Sequence, residues 1–168
     1  MTNPLKGIRV LDLTNVLAGP FCCHQLAHLG AEVIKVEVPG SGDLARQLGQ
    51  DETLSAANMG VSFLAPNPGK KSITINLKHA DGKALLRRLV KTADVLVENF
   101  RPGVMERLGL SYDVLKEINP QLIYCAISGF GQTGPDAHKP AYDQIIQGLS
   151  GEMAVNGDER LNPLRAGF

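Results

Sequence analysis

The feature that most constrains the fold is the repeated change in the spacing of apolar residues along the chain. Short, β-rich runs typical of strands occupy residues 8–13, 33–37, 72–76, 95–97 and 122–128. Between them, the spacing predicts helices over residues 19–29, 81–92, 104–108 and 111–118. Strands that alternate with helices in this way form a parallel sheet, so we expect an α/β fold with helices on both faces of the sheet.

Local signals support several of these boundaries. Pro20 stands where the first turn of a helix tolerates a residue without an N–H, and Gly30 suits the left-handed cap that ends this helix. Ser111 is a candidate N-cap for the helix that follows it. Residues 43–50 predict one helical turn, whereas residues 50–67 have no clean period.

Composition argues against several classes of function. The 168 residues contain 17 basic and 17 acidic side chains, whereas nucleic-acid and membrane-surface binding need clustered positive charge. No apolar run approaches the length of a membrane span, and the N-terminus lacks a signal-peptide pattern. Cys22, Cys23 and Cys125 form neither a disulfide framework nor a metal-ligand pattern. We therefore expect a cytoplasmic protein with reduced thiols and a mature chain that begins at Met1.

A glycine-rich motif, GFGQTG at residues 129–134, follows the fifth predicted strand. Dinucleotide binding by such a motif requires the third glycine to lie in the first turn of a helix. Here the polar segment 135–140, which contains two prolines, predicts a loop instead. We therefore expect these glycines to shape a loop, with no bound nicotinamide or flavin.

Two histidines, His24 and His28, lie four residues apart on the first predicted helix. A zinc site would need a third ligand and usually the HExxH arrangement, in which Gln25 here replaces the glutamate. Ser150 lacks the GxSxG setting of a serine nucleophile. We expect no metal site and no permanently bound cofactor.

Several basic residues lie in loops or just outside the predicted elements. They are Lys70, Lys71, Lys78, Arg101, Arg107 and Lys139. Together they follow successive strand ends, where open α/β sheets bind ligands. This distribution favours a nucleotide-like ligand with phosphate groups.

Short motifs run through essentially all 168 residues in a definite order. They are GIRVLDL (7–13), AGP (18–20), LGAEVIKVEVP (29–39), GD (42–43), VENFRPG (97–103), RLGLSY (107–112), ISGFG (127–131), AYD (141–143) and QGLSG (147–151). In this order they resemble the class III coenzyme A transferases, the CaiB/BaiF family. The resemblance implies that residues 1–168 are the N-terminal part of the large Rossmann-like domain of an enzyme more than twice as long, which forms an interlaced homodimer.

The resemblance also implies a set of contacts with coenzyme A, which is a substrate of the family. By position these contacts are Val16, Leu17, Ala18, Val38, Ile75, Asn76, Leu77, Lys78, Asn99, Phe100, Arg101, Arg107, Lys139, Pro140, Ala141 and Tyr142. Lys78 and Arg107 bring charges suited to phosphate. Leu17 and Val38 depart from the glutamine and arginine of the oxalate-using formyl-CoA transferases.

In this family an aspartate carboxylate attacks the acyl-CoA thioester, and an aspartyl anhydride and then an aspartyl-CoA thioester form. The acceptor, a small carboxylic acid, then takes the coenzyme. The resemblance implies that the aspartate lies a few residues beyond Phe168, since no acidic residue of the chain matches it. We therefore expect residues 1–168 alone to be inactive.

Two alternatives to a CoA-transferase remain open, a racemase and a non-catalytic module. An unrelated nicotinamide dehydrogenase is a distant third. The α-methylacyl-CoA racemases of the same superfamily need a histidine in a Gly-His-Asp context, where this chain has Ala141-Tyr142-Asp143. A phenol is a poorer base than an imidazole at neutral pH, so we favour the transferase. A non-catalytic module that binds coenzyme A or a partner is the other alternative.

Apolar residues late in the chain, such as Ile145 and Leu149, predict that the 168-residue polypeptide is marginally stable or associates.

Overall fold

Five short parallel strands form one sheet in this computed structural model, which describes residues 3–167. The strands are β1 (Arg9–Asp12), β2 (Glu32–Glu37), β3 (Lys71–Thr74), β4 (Val95–Glu98) and β5 (Ile123–Ala126). The helices are α1 (Ala18–His28), α2 (Glu52–Ala56), α3 (Val61–Leu64), α4 (Ala80–Val90), α5 (Val104–Leu108), α6 (Tyr112–Ile118), α7 (Asp143–Ser150) and α8 (Glu152–Val155). The strand order β3-β2-β1-β4-β5 is that of a mononucleotide-binding Rossmann-like sheet.

Both faces of the sheet are covered, which confirms the predicted α/β architecture. On one face, Val10 and Val97 pack with Cys23 of α1. On the other, their strand neighbours Leu11 and Leu96 pack in a cluster that contains residues of α4, α5 and α6. Successive residues of a strand point to opposite faces, so strands buried on both sides read as continuous apolar runs.

The helix signals in the sequence act largely as expected. Pro20 lies in the first turn of α1, and Gly30 adopts a φ of 100° just after its end. Ser111 occupies the N-cap position of α6, but its side chain makes no capping hydrogen bond. His79 caps α4 instead of a short polar residue, because its Nδ1 accepts a hydrogen bond from the N–H of Asp81 at 3.3 Å.

Residues 43–64 form a 3-10 turn (Leu44–Gln47) followed by α2 and α3. Asp43 and Asp51 begin the first two of these elements, and each side chain accepts a hydrogen bond from a backbone N–H. The helical turn predicted over residues 43–50 is therefore confirmed. The helices α2 and α3 are too short to show an amphipathic period, which explains why the sequence did not predict them.

The described residues divide into two compact units after Ile127. The second unit contains α7 and α8, which the sequence analysis did not predict, separated by Gly151 with a φ of 84°. Its C-terminal segment is held against α7, because Gln147 exchanges hydrogen bonds with both backbone polar groups of Ala166, at 3.1 and 2.9 Å. Phe168, beyond which the nucleophilic aspartate is expected, lies outside the described residues.

Candidate functional site

The strand order reverses at β1, which lies between β2 and β4. The loops that follow β1 and β4 therefore diverge, and open α/β sheets bind ligands in the crevice this creates at the carboxyl ends of the strands. Four groups of predicted contacts follow strands at this edge: residues 16–18 after β1, Val38 after β2, residues 75–78 after β3 and residues 99–101 after β4. The sheet thus brings these segments to one side of the molecule.

A reciprocal pair of hydrogen bonds joins the loops after β1 and β4. The N–H of Asn15 donates to Oδ1 of Asn99 at 2.8 Å, and Nδ2 of Asn99 donates to the carbonyl oxygen of Asn15 at 2.9 Å. The side-chain amide of Asn99 therefore sets the spacing of the two loops that border the crevice.

Val16 has an unusual backbone conformation in the loop after β1. Its φ is 68°, in the left-handed region that β-branched residues rarely adopt. Its N–H donates to Oδ1 of Asp43 at 3.0 Å. Val16 and Leu17 are 40% and 53% exposed, so this loop presents apolar surface at the start of α1.

Asp43 belongs to a buried ion pair that the sequence analysis missed. Nζ of Lys35, in β2, lies 2.8 Å from Oδ2 of Asp43 and donates to the carbonyl oxygen of Thr14 at 2.8 Å. The side chains of Lys35 and Asp43 are 1% and 0% exposed. The available signal was the lysine inside the strand-like run 33–36, whose other residues are apolar, since a lysine that is fully buried is almost always paired.

A second buried pair changes the interpretation of Lys70. Its Nζ donates to Oδ2 of Asp12, the carbonyl oxygen of Pro20 and Oδ1 of Asn67, each at 2.8 Å. The ammonium is therefore fully bound inside the protein, and the expectation that Lys70 is an open phosphate-binding cation is wrong. Burial lowers the pKa of Lys70, and the charge of Asp12 partly offsets that effect.

Lys71 also differs from the expectation of a loop cation. It is the first residue of β3, and its ammonium lies 2.6 Å from Oε1 of Glu32 in an exposed ion pair. The neighbouring Arg9 pairs with the same carboxylate at 2.7 Å. Hydrogen bonds from Lys71 and Arg9 lower the pKa of Glu32 to about 2.

A cavity of about 210 Å³ opens beyond the carboxyl ends of β2 and β3. Its lining includes Val38, Arg46 and Ser72. Val38 is 57% exposed, so its apolar side chain is accessible at this cavity. The guanidinium of Arg46 is nearby but engaged, since Nε and Nη2 donate to the two carboxylate oxygens of Glu37 at 2.6 and 2.7 Å.

Glu37 is buried, and its carboxylate stays ionised because of the groups that donate hydrogen bonds to it. Burial by itself would raise the pKa of Glu37, but hydrogen bonds from Arg46, Ser72 and the N–H of Asp43 lower it to about 2. The guanidinium carbon of Arg46 also lies 3.7 Å from the ring centroid of Phe63. These contacts hold the segment after β2 in place beside the cavity.

The segment after β3 divides into a buried and an exposed part. Ile75 is 4% exposed and belongs to the core, and Leu77 is half-buried against it, so the side chain of Ile75 does not face a ligand. Oδ1 of Asn76 accepts a hydrogen bond from the N–H of Lys78 at 3.0 Å, which shapes the turn into α4. Lys78 is exposed at this turn. Among the predicted contacts at residues 75–78, Lys78 therefore has the side chain best suited to bind a phosphate.

Glu98, the last residue of β4, orients the segment that follows it. Its Oε2 accepts the N–H of Phe100 at 2.8 Å, and its Oε1 accepts the hydroxyl of Tyr124 at 3.3 Å. Burial raises the pKa of Glu98, partly offset by these hydrogen bonds. Phe100 also packs against the core, so the hydrogen bond from its N–H and the packing of its ring together fix residues 99–101.

Arg101 and Arg107 are exposed on either side of the turn that begins α5. Gly103 adopts a φ of 83° in that turn. A Cβ at Gly103 would come within 3.0 Å of Nη1 of Arg107, which shows that the guanidinium folds back over the turn. The two predicted cationic contacts therefore lie on one short segment after β4.

The predicted contacts Lys139, Pro140, Ala141 and Tyr142 belong to the second unit. The ammonium of Lys139 lies 2.7 Å from Oδ1 of Asp136, and Tyr142 is 73% exposed just before α7. Ala141 explains the first glycine of the GFGQTG motif, because a Cβ at residue 129 would overlap the Cβ of Ala141.

The other two glycines of this motif, Gly131 and Gly134, have φ values of 81° and 97°. Among the described residues 134–142 the backbone forms turns and irregular segments, and α7 begins only at Asp143. The prediction that this motif shapes a loop and opens no helix is therefore confirmed.

The two histidines on α1 contact each other, and one of them also contacts the backbone before β3. The rings of His24 and His28 lie 4.2 Å apart between centroids, and Nδ1 of His24 is 3.2 Å from the carbonyl oxygen of Pro68. Within residues 3–167, no group of three or more metal-ligating side chains comes together. No helix in the same part of the chain is long and apolar enough to span a membrane.

Comparison with known proteins agrees with the fold and with the order of the motifs. The sequence profile of CoA-transferase family III matches residues 5–168. A succinate–glutarate CoA-transferase from Agrobacterium fabrum is 48% identical over 167 residues, which cover 98% of this chain and 42% of that enzyme. An acetyl-CoA:oxalate CoA-transferase from Acetobacter aceti is 49% identical over 164 residues, which cover 98% of this chain and 41% of that enzyme.

Solved structures show the same relationship. A CaiB/BaiF family protein from Brucella suis has a TM-score of 0.91 at 43% identity, covering 100% of this chain and 44% of that one. A protein from Mycobacterium tuberculosis has a TM-score of 0.85 at 40% identity, covering 98% of this chain and 45% of that one. The chain spans about two fifths of the length of the curated relatives described above. With a profile match over residues 5–168 and a shared fold, the chain belongs to CoA-transferase family III.

Proposed function

We propose that the full-length protein is a CoA-transferase that moves coenzyme A from an acyl-CoA to a small carboxylic acid. The observation that carries this proposal is the family match over residues 5–168. Relatives that are 48–49% identical over almost the whole chain are named as transferases acting on succinate and glutarate or on acetyl-CoA and oxalate. The switch-point crevice supports it, since the predicted contact segments after four strands lie at that edge.

The coenzyme would lie along the carboxyl edge of the sheet. The exposed cations Lys78, Arg101 and Arg107 would bind its phosphates, because charge-assisted hydrogen bonds to phosphate are among the strongest in proteins. The exposed side chains of Val16 and Leu17 would meet apolar parts of the ligand, close to the start of α1. Lys139 and Tyr142 of the second unit are proposed as further contacts.

The proposed chemistry uses an aspartate located beyond Phe168. Its carboxylate attacks the acyl carbon of the donor and expels the coenzyme thiolate, which leaves a mixed anhydride. The thiolate then attacks the aspartyl carbonyl, releases the donor acid and leaves an aspartyl-CoA thioester. The acceptor carboxylate attacks this thioester, and the thiolate released in that step attacks the new anhydride to give the new acyl-CoA and the free aspartate.

Incubation of the full-length protein with succinyl-CoA or acetyl-CoA and oxalate, glutarate or malate tests the proposal directly. We expect a new acyl-CoA in the mass spectrum, and hydroxylamine should trap an aspartyl hydroxamate on the protein in the presence of acyl-CoA. Exchange of the α-proton of a 2-methylacyl-CoA in D₂O without acyl transfer would instead identify a racemase. Tight binding of coenzyme A without either reaction would identify a binding module.

The contribution of the cationic edge can be tested with two lysines. Lys78→Ala should raise KM for the acyl-CoA about tenfold or more, because a charge-assisted hydrogen bond is lost. Lys91→Ala is the matched control, since Lys91 is also exposed but lies at the opposite end of α4 from Lys78. Equal effects of the two substitutions would show that Lys78 acts only through long-range charge.

We also propose that the full-length protein is an interlaced homodimer and that residues 1–168 alone lack transferase activity. The reason in both cases is the family expectation that the nucleophile and the rest of the dimer lie outside this segment. Light scattering of the full-length protein and an acyl-transfer assay of the isolated 168-residue polypeptide check these two points. A monomeric full-length enzyme, or activity in the isolated polypeptide, would contradict them.

A further inference from the structure

Five consecutive backbone polar groups in the loop after β1, from the N–H of Thr14 to the N–H of Val16, are each bound by a side chain. The N–H and the carbonyl of Thr14, the N–H and the carbonyl of Asn15, and the N–H of Val16 take part. The side chains that bind them, in this order, are those of Asp12, Lys35, Asn99, Asn99 again and Asp43. A loop held at these five consecutive groups has few alternative conformations.

The held conformation is one that Val16 would not adopt alone. A φ of 68° is unfavourable for a β-branched residue, so its surroundings must over-determine it. The N–H of Val16 has its hydrogen bond with Oδ1 of Asp43, which also accepts the N–H of Ala45 at 2.9 Å. Asp43 is therefore the side chain that keeps Val16 in the left-handed region.

Asp43 in turn is fixed by Lys35. The two side chains are 0% and 1% exposed, so the carboxylate cannot turn towards solvent. Lys35 also donates to the carbonyl oxygen of Thr14. A closed ring results, which runs from Lys35 through the backbone of residues 14–16 to Asp43 and back to Lys35.

We propose that Asp43 and Lys35 are positioning residues that preset the loop of residues 14–17 for the ligand in the switch-point crevice. The proposal rests on the proposed function, which makes that ligand coenzyme A or its thioester. A loop that is ordered before binding avoids the entropy cost of ordering it in the complex. Asp43 acts through Val16 and touches no ligand, so its loss weakens coenzyme binding more than it slows the chemical step.

A double-mutant cycle in the full-length protein tests this coupling. The variants are Asp43→Ala, Val16→Gly and their combination, and the readouts are the Kd for coenzyme A by calorimetry and the split of kcat and KM. Asp43→Ala should raise Kd and KM about tenfold or more with kcat changed less than about threefold. In the Val16→Gly background the same change should have a clearly smaller effect, because glycine adopts a positive φ about as readily as a negative one. The same loss in both backgrounds would overturn the proposal.

Two further variants separate positioning from folding. Leu115→Ala removes a core contact in α6, where Leu115 is fully buried, and should lower the melting temperature without raising Kd. Asp43→Asn keeps the size of the side chain but places an amide NH₂ against the ammonium of Lys35, so it removes the ion pair that fixes residue 43. This variant replaces Asp43→Ala if Asp43→Ala does not fold. A folded Asp43→Asn protein with an unchanged Kd would also overturn the proposal.

Amide hydrogen exchange of the ligand-free protein distinguishes failure of this inference from failure of the proposed function. We expect peptides covering residues 14–18 to exchange faster in Asp43→Asn, with α4 unchanged. If the parent protein binds no coenzyme A, the proposed function fails, and the exchange result alone decides whether Asp43 holds the loop. If the parent binds coenzyme A and the loop exchanges equally in both proteins, the positioning role fails while the proposed function stands.

Discussion

Replacing Arg46 with methionine should destabilise the segment after β2 by about 3 kcal/mol. Arg46 donates to both carboxylate oxygens of Glu37, at 2.6 and 2.7 Å, and the Glu37 side chain is only 2% exposed. Removing one partner of a buried ion pair typically costs about 3–5 kcal/mol, because the other charge stays buried. The lower end applies here, since the hydroxyl of Ser72 and the N–H of Asp43 still donate to Glu37.

The pH dependence of this loss follows from the pKa of Glu37. In the parent protein that pKa is about 2, below its ordinary value of 4.5, so its stabilisation is complete above about pH 4.5 and is lost as the pH falls towards 2. Without Arg46, burial would dominate and the pKa would rise above the ordinary value. The carboxylate would then destabilise the variant as the pH rises through that value. The difference in stability between parent and variant should therefore be large at pH 7 and smaller at pH 4.

Hydrogen exchange followed by mass spectrometry measures this difference locally in the full-length protein. A loss of about 3 kcal/mol corresponds to a decrease of about a hundredfold in the protection of amides in residues 32–48 at pH 7. Arg9→Met is the matched control, because Arg9 and Glu32 are 2.7 Å apart but their side chains are 37% and 33% exposed. Exposed pairs contribute little, so the control should lose much less protection, and added salt should reduce its loss further.

Two results would refute this reasoning. Equal losses in Arg46→Met and Arg9→Met would show that burial of the Glu37 pair does not determine its energy. A loss in Arg46→Met that is the same at pH 7 and pH 4 would show that the charge of Glu37 is not responsible. In that case the lost contact between Arg46 and the ring of Phe63 would be the better explanation.

Three other predictions follow from burial and exposure. Glu98→Gln should raise the melting temperature at pH 7 but not at pH 4, because burial raises the pKa of Glu98 and its ionised form therefore costs stability as the pH rises above the ordinary pKa of a glutamate. An equal shift of the melting temperature at both pH values would contradict this. Iodoacetamide should alkylate the half-buried Cys22 before Cys23, because burial and the charge of Asp12 raise the pKa of the Cys23 thiol. Equal rates of alkylation of the two thiols, measured by peptide mass spectrometry, would contradict this. The isolated 168-residue polypeptide should associate, because α7 and α8 expose apolar side chains; a monomer by light scattering with sharp, reversible unfolding would show otherwise.

The fold could be predicted from the sequence because its signals are local. The run at residues 8–13 contains β1, and the amphipathic pattern over 81–92 covers all of α4 except its first residue. Leu86 and Val90 of this helix are buried. Parallel strands follow from the helices between them, since a parallel connection needs a long crossover. Residues 143–155 escaped prediction because their helices are short, and the one buried residue in the described part of the second unit is the polar Gln147.

The candidate site could be predicted only in outline. The resemblance to the transferase family selected segments at the strand ends, and the sheet brings the segments after β1, β2, β3 and β4 to one edge. Whether a side chain in such a segment faces outward was not predictable. Ile75 is buried in the core whereas Lys78, three residues later, is exposed. Lys70 is buried although its sequence context, between a glycine and another lysine, is that of a surface loop.

The sequence by itself determined the order of strands and helices, the parallel sheet and the family, because these depend on spacing and motifs along the chain. Only the tertiary structure decided which charges became internal. Asp12 meets Lys70 across 58 positions of sequence, and Lys35 meets Asp43 across a turn. Lys35 and Asp43 also bind the loop after β1, through the carbonyl oxygen of Thr14 and the N–H of Val16, which has a positive φ. Contacts between distant residues leave no periodic signal, so no local pattern could have predicted them.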